Sequence, residues 1–446
     1  MWDFETDPEF QKKLDWMETL VRDEIEPLDL LFHQDQTYNP GNQSLMAIMK
    51  PLKQKVRDQG LWACHLPKKL GGDGYGQVQL ALMNEILGRS FFASTIFGTQ
   101  APDTGNAEAL AHFGTEAQKA AYLQPLLDGD IVSCFTMTEP QGGADPGVFQ
   151  TRAYEQPDGS WRIRGQKWYA SNARWASFFL IVAITDPDAP LISRFSMFVV
   201  PAERAGIKVI RNAGLMFDLP GEGLEGYIEF EDLHVTREDL LGDLGQAFAI
   251  AQHRLGGGRV HHAMRSVGLA KKAFDAMCER VLSRTTKGSL LADKQSVQHL
   301  IADCWLKIEQ FRLFVLRTAW KIDRYNDYKV VREDIAACKN LAYEVCVYIV
   351  EKAIHLHGSL GASNEMAFGE MMRASMCMGI VDGPAEVHQT TIAKQLLRRY
   401  RATDDLFPST HVPPNVLKAM EKYKDYLDIP GDKSVWVNYF RAQDKA

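Results

Sequence analysis

The stretch IVSCFTMTEPQGGADPGVFQTRA, residues 131–153, is where the chain changes character. Before it, apolar residues recur at helical spacing. Phe10, Leu14, Met17, Val21 and Ile25 line one helix face, and Leu80, Met83 and Leu87 repeat the pattern. Pro27 ends or kinks the first helix, and GGDGYG at 71–76 connects two others. From residue 131 short β-rich runs take over: IVSCFTM, WRIRGQKWYA, FFLIVAIT, FSMFVVPA, IKVI and GYIEFEDLHV. In the last run Ile228 and Phe230 alternate with Glu229 and Glu231, the pattern of a half-buried strand. After Leu241-Gly242 the helical period returns. Met264, Val267, Leu269, Phe274 and Met277 mark one helix, and two more are predicted over 297–325 and 335–357. This order predicts an α+β chain that is mainly α. The expected domains are an N-terminal helical domain (1–131), a middle β domain (132–242), a C-terminal helical bundle (243–408) and a tail (409–446).

The composition sets the broad class. The chain has 446 residues, 46% hydrophobic and 24% charged, which is that of a globular protein with room for a large core. A net charge of -7 disfavours broad electrostatic binding to nucleic acid. The seven cysteines, at 64, 134, 278, 304, 338, 346 and 377, lack metal-ligand spacing and read as free thiols in a reducing compartment. The N-terminus MWDFETDPEF lacks a signal pattern, and no apolar run has membrane-spanning length, so the expectation is a soluble intracellular protein. PSTHVPP at 408–414 reads as a linker. Beyond it, Val416, Met420, Tyr423 and Leu427 form an amphipathic stripe suited to docking on the body or a partner subunit.

No metal site is expected. His261 and His262 are adjacent, about 100° apart on a helix, and make a poor ligand pair. Neither a Walker loop nor a Rossmann glycine fingerprint is present. The segment 134–153 is more suggestive. A strand runs into Thr136, Thr138, Glu139 and Pro140, then into Gly142 and Gly143, where hydroxyls and accessible backbone can meet a planar heterocycle. Alone, it reads first as a hairpin with a glycine-rich turn, since short Gly/Pro loops are common.

It belongs to a series. In order come LGGDGYG, HFGTEAQKAAYLQPLLDGD, FTMTEPQGGAD, GQKWYASNA, FEDLHV with LLG, SVGLAKKAF, RTTKGSLLADKQ, HGSLGASNE, MMRASM and DGPAEVHQTTIAKQLL. This series resembles the acyl-CoA dehydrogenase family to about residue 408. The resemblance implies a β-barrel-like middle domain between helical domains, bound FAD, and a homodimer or homotetramer. It also implies electron-transfer flavoprotein as acceptor, and α,β-dehydrogenation of an acyl-CoA by α-proton abstraction and hydride transfer to flavin N5. RLGGGRVHHAMRSVG (254–268) and the aspartate of DGPAEVH are similar to the branch whose larger eukaryotic members carry fused kinase-like domains and handle 4-hydroxyacyl-CoA.

By the same resemblance Asp382 takes the place of the catalytic base, usually a glutamate. Aspartate is one methylene shorter, so its carboxylate must come about 1.5 Å closer to the substrate. The resemblance places that carboxylate in an apolar pocket that raises its pKa. The alternative for Asp382 is an Asx-turn residue opening a helix near 385. Phe135, Thr136, Met137 and Thr138 match the stretch facing the flavin ring, with Gly143 and Ala144 beyond it. Ala144 stands where many members have a substrate-contacting serine. Ser171 falls near flavin N5, and Tyr169 replaces a usual tryptophan. Arg284 matches an arginine that reaches FAD phosphates from a neighbouring subunit, and Gln295 follows it. Gly358, Gly361, Pro384 and Glu386 complete the implied cofactor set. Arg259 and Gly383 join Ala144 in the implied substrate set. His261, His262 and Arg265 are candidates to meet an oxygen or phosphate near the substrate, or else structural residues.

Two rival readings stay open: a nitroalkane-type flavin oxidase on the same fold, which also uses an aspartate base, and a non-enzymatic DNA-associated flavoprotein, which the acidic balance disfavours. The expected location is cytoplasmic, with the mitochondrial matrix or peroxisome left open.

Overall fold

The computed structural model describes residues 5–70, 72, 74–401 and 406–443, so Gly71 and Asp73 of the GGDGYG connection lie outside the described residues. Helix α1 (Pro8–Leu20) starts where the Asp7 carboxylate accepts from the amides of Glu9 and Phe10, with Pro8 in the first turn. It buries Phe10, Leu14, Met17 and Leu20. A five-residue π turn, Val21–Ile25, follows, and a new short helix begins directly after Pro27. The missing N–H of proline is accommodated at that junction. Helices α2 (Gln43–Asp58), α3 (Gln77–Leu87) and α4 (Asp103–Phe113) complete this part, and α1–α3 share one core around Met17, Leu45, Val56 and Met83.

The middle of the chain forms an eight-stranded mixed sheet: β1 (Ser133–Thr136), β2 (Arg152–Glu155), β3 (Trp161–Ser171), β4 (Phe178–Ile184), β5 (Phe195–Pro201), β6 (Ile207–Ala213), β7 (Glu225–Val235) and β8 (Leu240–Leu241). The order is β6-β7-β3-β2-β4-β5-β8, with β1 parallel to β4. Every residue of β4 is buried, as its unbroken apolar run dictates, whereas β7 alternates, with Ile228 and Phe230 inside. Strands β2 and β8 are too short and too polar-flanked to announce themselves by period.

The third part is a helical bundle of α5 (Ala247–Ser283), α6 (Gln295–Tyr325), α7 (Arg332–His357) and α8 (Phe368–Cys377), followed by α9 (Ala385–Leu397). Its core joins Met264, Val267 and Met277 to Ile308, Phe311, Val315 and Ile349. Two glycines let α5 approach α3 backbone to backbone. A Cβ at Gly268 would stand 2.0 Å from Glu85 O, and one at Gly88 would stand 2.0 Å from Arg265 O. That approach fixes the α5 segment that carries the site.

Residues 393–446 form a separate compact unit. Within it α10 (Val412–Lys422) begins inside the PSTHVPP stretch, so the expected linker is shorter than predicted. Pro413 and Pro414 occupy the first helical turn, where a missing N–H has no consequence. α11 (Val435–Gln443) is the last helix described. Among the described residues no helix is long and apolar enough to cross a membrane. None of the seven cysteines forms a disulfide, and five of them are buried.

Candidate active site

Asp382 lies in the turn between α8 and α9, with φ +55° followed by φ +106° at Gly383. Few side chains tolerate the left-handed region, and aspartate is among them. The turn is clamped through its backbone. Arg259 Nη2 and His388 Nε2 both lie 3.3 Å from the Asp382 carbonyl oxygen and donate to it. Among the described residues no amide donates to the Asp382 carboxylate, so the side chain does not serve as a helix cap. Instead Oδ2 sits 3.7 Å from His262 Nε2, with the side chain 24% exposed.

The surroundings differ from the apolar pocket expected for a base. Burial pushes the Asp382 carboxyl up, but the positive potential of His262, Lys339, Arg259 and Arg254 outweighs it and the net direction is down. Burial and Arg265 together push His262 down, to about 3, so at neutral pH the standing charge comes from the lysine and the arginines. The net effect draws the Asp382 carboxyl toward its ionised form, in a cationic setting.

Arg254 connects this turn to the strand end. Its guanidinium lies 3.9 Å over the Phe135 ring, its Nε donates to Asn106 Oδ1 at 2.8 Å, and the residue is 7% exposed. Beyond Phe135, Thr136 is buried with its hydroxyl donated to Leu180 O, so its side chain belongs to the fold. Met137 O accepts from Lys167 Nζ, and Thr138 O accepts from Trp168 N. Gly143 packs on Thr138, since an added Cβ would stand 3.1 Å from Thr138 Cγ2, and Ala144 is exposed beside it. Glu139 shapes this turn. It is buried, pairs with Lys167 at 2.9 Å, and accepts from the amides of Gln150 and Thr151.

Across from this loop, β3 carries Tyr169 (φ +51°, 44% exposed) and ends at Ser171, with Asn172 (φ +67°) in the turn after it. Ser171 Oγ donates to Glu225 Oε2 at 2.8 Å, a pairing no sequence signal suggested. Burial raises the Glu225 carboxyl to about 7, against the hydrogen bond from Ser171 that lowers it. The folded protein thus keeps a proton that the unfolded chain releases above its ordinary value of 4.5. The sign is that this group's contribution is greatest at low pH and is lost as pH rises through 7. Asp29, Asp103 and Glu108 are also raised, so the contrast must be made within one position. Glu225→Gln is expected to flatten the loss of unfolding free energy between pH 5 and 7.5, measured by urea titration, relative to the wild type. Parallel curves for the two proteins would contradict the raised carboxyl.

The remaining expected residues form a second group. Arg284 follows the last residue of α5 and is exposed. A Cβ on Gly358 (φ +68°) would stand 3.1 Å from its Nη1. Gln295 opens α6, and Gly361 packs so tightly that an added Cβ would stand 2.4 Å from Ile354 O. Thirty residues of α5 separate Arg254 from Arg284, about 45 Å in a straight helix. One chain therefore does not bring Arg284 to Phe135. Pro384 and Glu386 lie at the start of α9, next to Asp382, with Glu386 exposed.

Elsewhere Glu108, His112 and His253 bring potential ligand atoms within 4.8 Å of one another. Sequence spacing did not show this group because α4 and α5 meet only in the fold. His253 Nε2 lies 3.6 Å from Glu108 Oε1, under the ring of Phe113.

Comparison with known proteins follows the same three-part order. Models for the N-terminal, middle and C-terminal domains of acyl-CoA dehydrogenase match residues 9–130, 134–224 and 245–397. Acyl-CoA dehydrogenase family member 10 of Mus musculus is 35% identical over 398 residues, 88% of this chain and 37% of that protein. The chain spans less than half the length of the first curated relatives it matches. (R)-Benzylsuccinyl-CoA dehydrogenase of Thauera aromatica is 32% identical over 348 residues, 78% of this chain and 84% of that one. The structure of butyryl-CoA dehydrogenase from Megasphaera elsdenii superposes with a TM-score of 0.76 at 26% identity, covering 89% of this chain and 100% of that one.

Proposed function

The chain belongs to the acyl-CoA dehydrogenase family, and on that premise we propose that it binds FAD and catalyses α,β-dehydrogenation of an acyl-CoA thioester with Asp382 as the base. The observation that carries the proposal is the Asp382 carboxylate itself. It is held in a left-handed turn, drawn toward its ionised form by the surrounding cations, and electrostatically linked to the arginine that lies on Phe135.

The strand ends suit a flavin. Phe135 and the exposed Tyr169 offer aromatic faces, Thr138 and Ser171 offer hydroxyls, and Gly143 leaves room for backbone approach. When bound, FAD supplies the acceptor for a hydride leaving the substrate β-carbon. The rest falls to this chain. A thioester carbonyl acidifies the neighbouring α-proton, and Asp382 accepts that proton. Negative charge then grows on the thioester oxygen, within the positive potential of Arg259, Lys339 and Arg254. Arg259 and His388 keep the base in place through its own carbonyl, so the carboxylate is free for chemistry.

The separation of Arg284 from Phe135 supports a site shared between two copies. In this reading Arg284, Gln295, Gly358 and Gly361 of one copy hold the phosphate end of the cofactor bound by another, which requires a homodimer or homotetramer. Electron-transfer flavoprotein is the proposed acceptor, and acyl groups that are branched or 4-hydroxylated are the proposed substrates.

The test follows flavin absorbance of the purified holoprotein without oxygen, on addition of straight, branched and 4-hydroxy acyl-CoAs, with a nitroalkane control. Bleaching by an acyl-CoA is the expected result. Bleaching by the nitroalkane alone would replace the proposal with the oxidase reading.

A further inference from the structure

Glu108 and His112 stand four residues apart on α4, the spacing that sets two side chains on one helix face, and His253 meets them from α5. One potential ligand atom from each lies within 4.8 Å of the other two. Rings hold His253 in place: His112 at 4.3 Å, Phe113 at 5.7 Å and Tyr328 at 6.0 Å between centroids, all steeply inclined to it. The His253 side chain is 31% exposed, yet its Nε2 is shielded from solvent and has no hydrogen-bond partner among the described residues. That nitrogen lies 3.6 Å from Glu108 Oε1, too far for a hydrogen bond. A buried polar atom without a partner requires an explanation.

The separation suits a shared ion. Two ligands held at about 2.0–2.1 Å in a tetrahedral site stand roughly 3.3–3.4 Å apart. Glu108 Oε1 and His253 Nε2 are near that spacing, and His112, exposed at the helix surface, can close the remaining distance by turning its ring. Among the described residues no lysine or arginine pairs with Glu108. The charge of Arg254 reaches Glu108, but its guanidinium lies on Phe135 and its Nε donates to Asn106, so it does not occupy the carboxylate. Two imidazoles and one carboxylate favour zinc and similar transition ions over magnesium and calcium, which prefer oxygen ligands.

We propose that Glu108, His112 and His253 bind a divalent transition-metal ion of the zinc class, with a fourth position open to water. The ion ties α4 to α5 one residue before Arg254, the arginine that lies on Phe135. The inference is independent of the acyl-CoA reading, because it uses neither Asp382 nor the cofactor. A water molecule is the competing occupant, and it differs in giving no response to added metal.

The experiment titrates zinc chloride into chelator-treated holoprotein by calorimetry, and follows thermal unfolding with and without zinc. The expected result is one zinc bound per chain and a raised melting temperature, since an ion that binds the folded state stabilises it. Glu108→Gln, His112→Ala and His253→Ala should each weaken binding by at least about tenfold, the loss that follows even from disturbing a ligand's outer partners. His112 is exposed, so its variant serves if another does not fold. His355→Ala is the control for adventitious binding, because His355 is exposed and lies 3.2 Å from Glu351 on the same helix. It should bind zinc as the wild type does. Absence of stoichiometric zinc would overturn the inference and leave water between the three side chains. Zinc binding that survives all three substitutions, or that His355→Ala abolishes, would mean an adventitious ion only. Magnesium binding as tightly as zinc would overturn the assignment of the ion.

Discussion

Asp382→Asn is expected to retain flavin and to lose about a hundred- to ten-thousandfold in the rate of flavin reduction by an acyl-CoA, the usual contribution of a positioned general base. The substitution isolates the chemistry because asparagine has the same shape and also tolerates a left-handed backbone, so φ +55° adds little strain. The carbonyl that Arg259 and His388 hold is unchanged. What disappears is the proton acceptor and the negative charge that Lys339, Arg259 and Arg254 surround. A moderate loss of thermal stability should therefore accompany the loss of rate. The reading is a single-turnover measurement without oxygen, which separates chemistry from product release. Unchanged reduction would remove Asp382 from the role of base. Asp382→Glu gives a graded control. Its carboxylate reaches about 1.5 Å further into a site built for the shorter acid. A misplacement of this size costs on the order of a hundredfold.

Lys167→Met is expected to produce the largest loss of stability, about 3–5 kcal/mol, because it strands a buried charge. The Lys167 and Glu139 side chains are 1% and 2% exposed and lie 2.9 Å apart. Lys167 also donates to Met137 O at 2.8 Å, so the same ammonium ties the strand end to the glycine-rich turn. Burial pulls Lys167 down to about 8, and Glu139 draws it back up. Burial raises Glu139, but Lys167 and the amides of Gln150 and Thr151 carry it net downward. Without the lysine, the carboxylate must either stay charged in a dry setting or take up a proton. Urea unfolding measures the loss, and flavin content reports whether the turn keeps its shape. Lys167→Met with Glu139→Gln should recover part of the stability. A loss below about 1 kcal/mol would show that water reaches Glu139 and that the pair is equivalent to a surface bridge.

The sequence revealed what short-range pattern encodes. The helix–strand–helix order followed from where apolar spacing changes, since Phe10 to Ile25 and Ile228 with Phe230 are buried as their periods require. The family and its branch followed from ordered motifs, and members 10 and 11 are among the relatives found. The pairings were not legible. Glu139 meets Lys167 across 28 residues, Ser171 meets Glu225 across 54, and Asp382 meets His262 across 120. No local rule links residues so far apart. The cationic surroundings of Asp382 were not legible for the same reason, because its cations come from α5 and α7 while the motif around Asp382 is largely apolar. The stretch 408–414 reads as a linker, whereas Pro413 and Pro414 in a first helical turn are compatible with the helix.

Helix α5 has a consequence for how this chain can vary. Inserting or deleting one residue between Arg254 and Arg284 would rotate everything beyond it by about 100° and shift it by about 1.5 Å. One end would keep its register while the other turned its arginine away. Substitutions along those thirty residues are absorbed one side chain at a time, but a change of length cannot be. Related sequences should therefore differ freely in loop length and hold constant the count of residues along this rod.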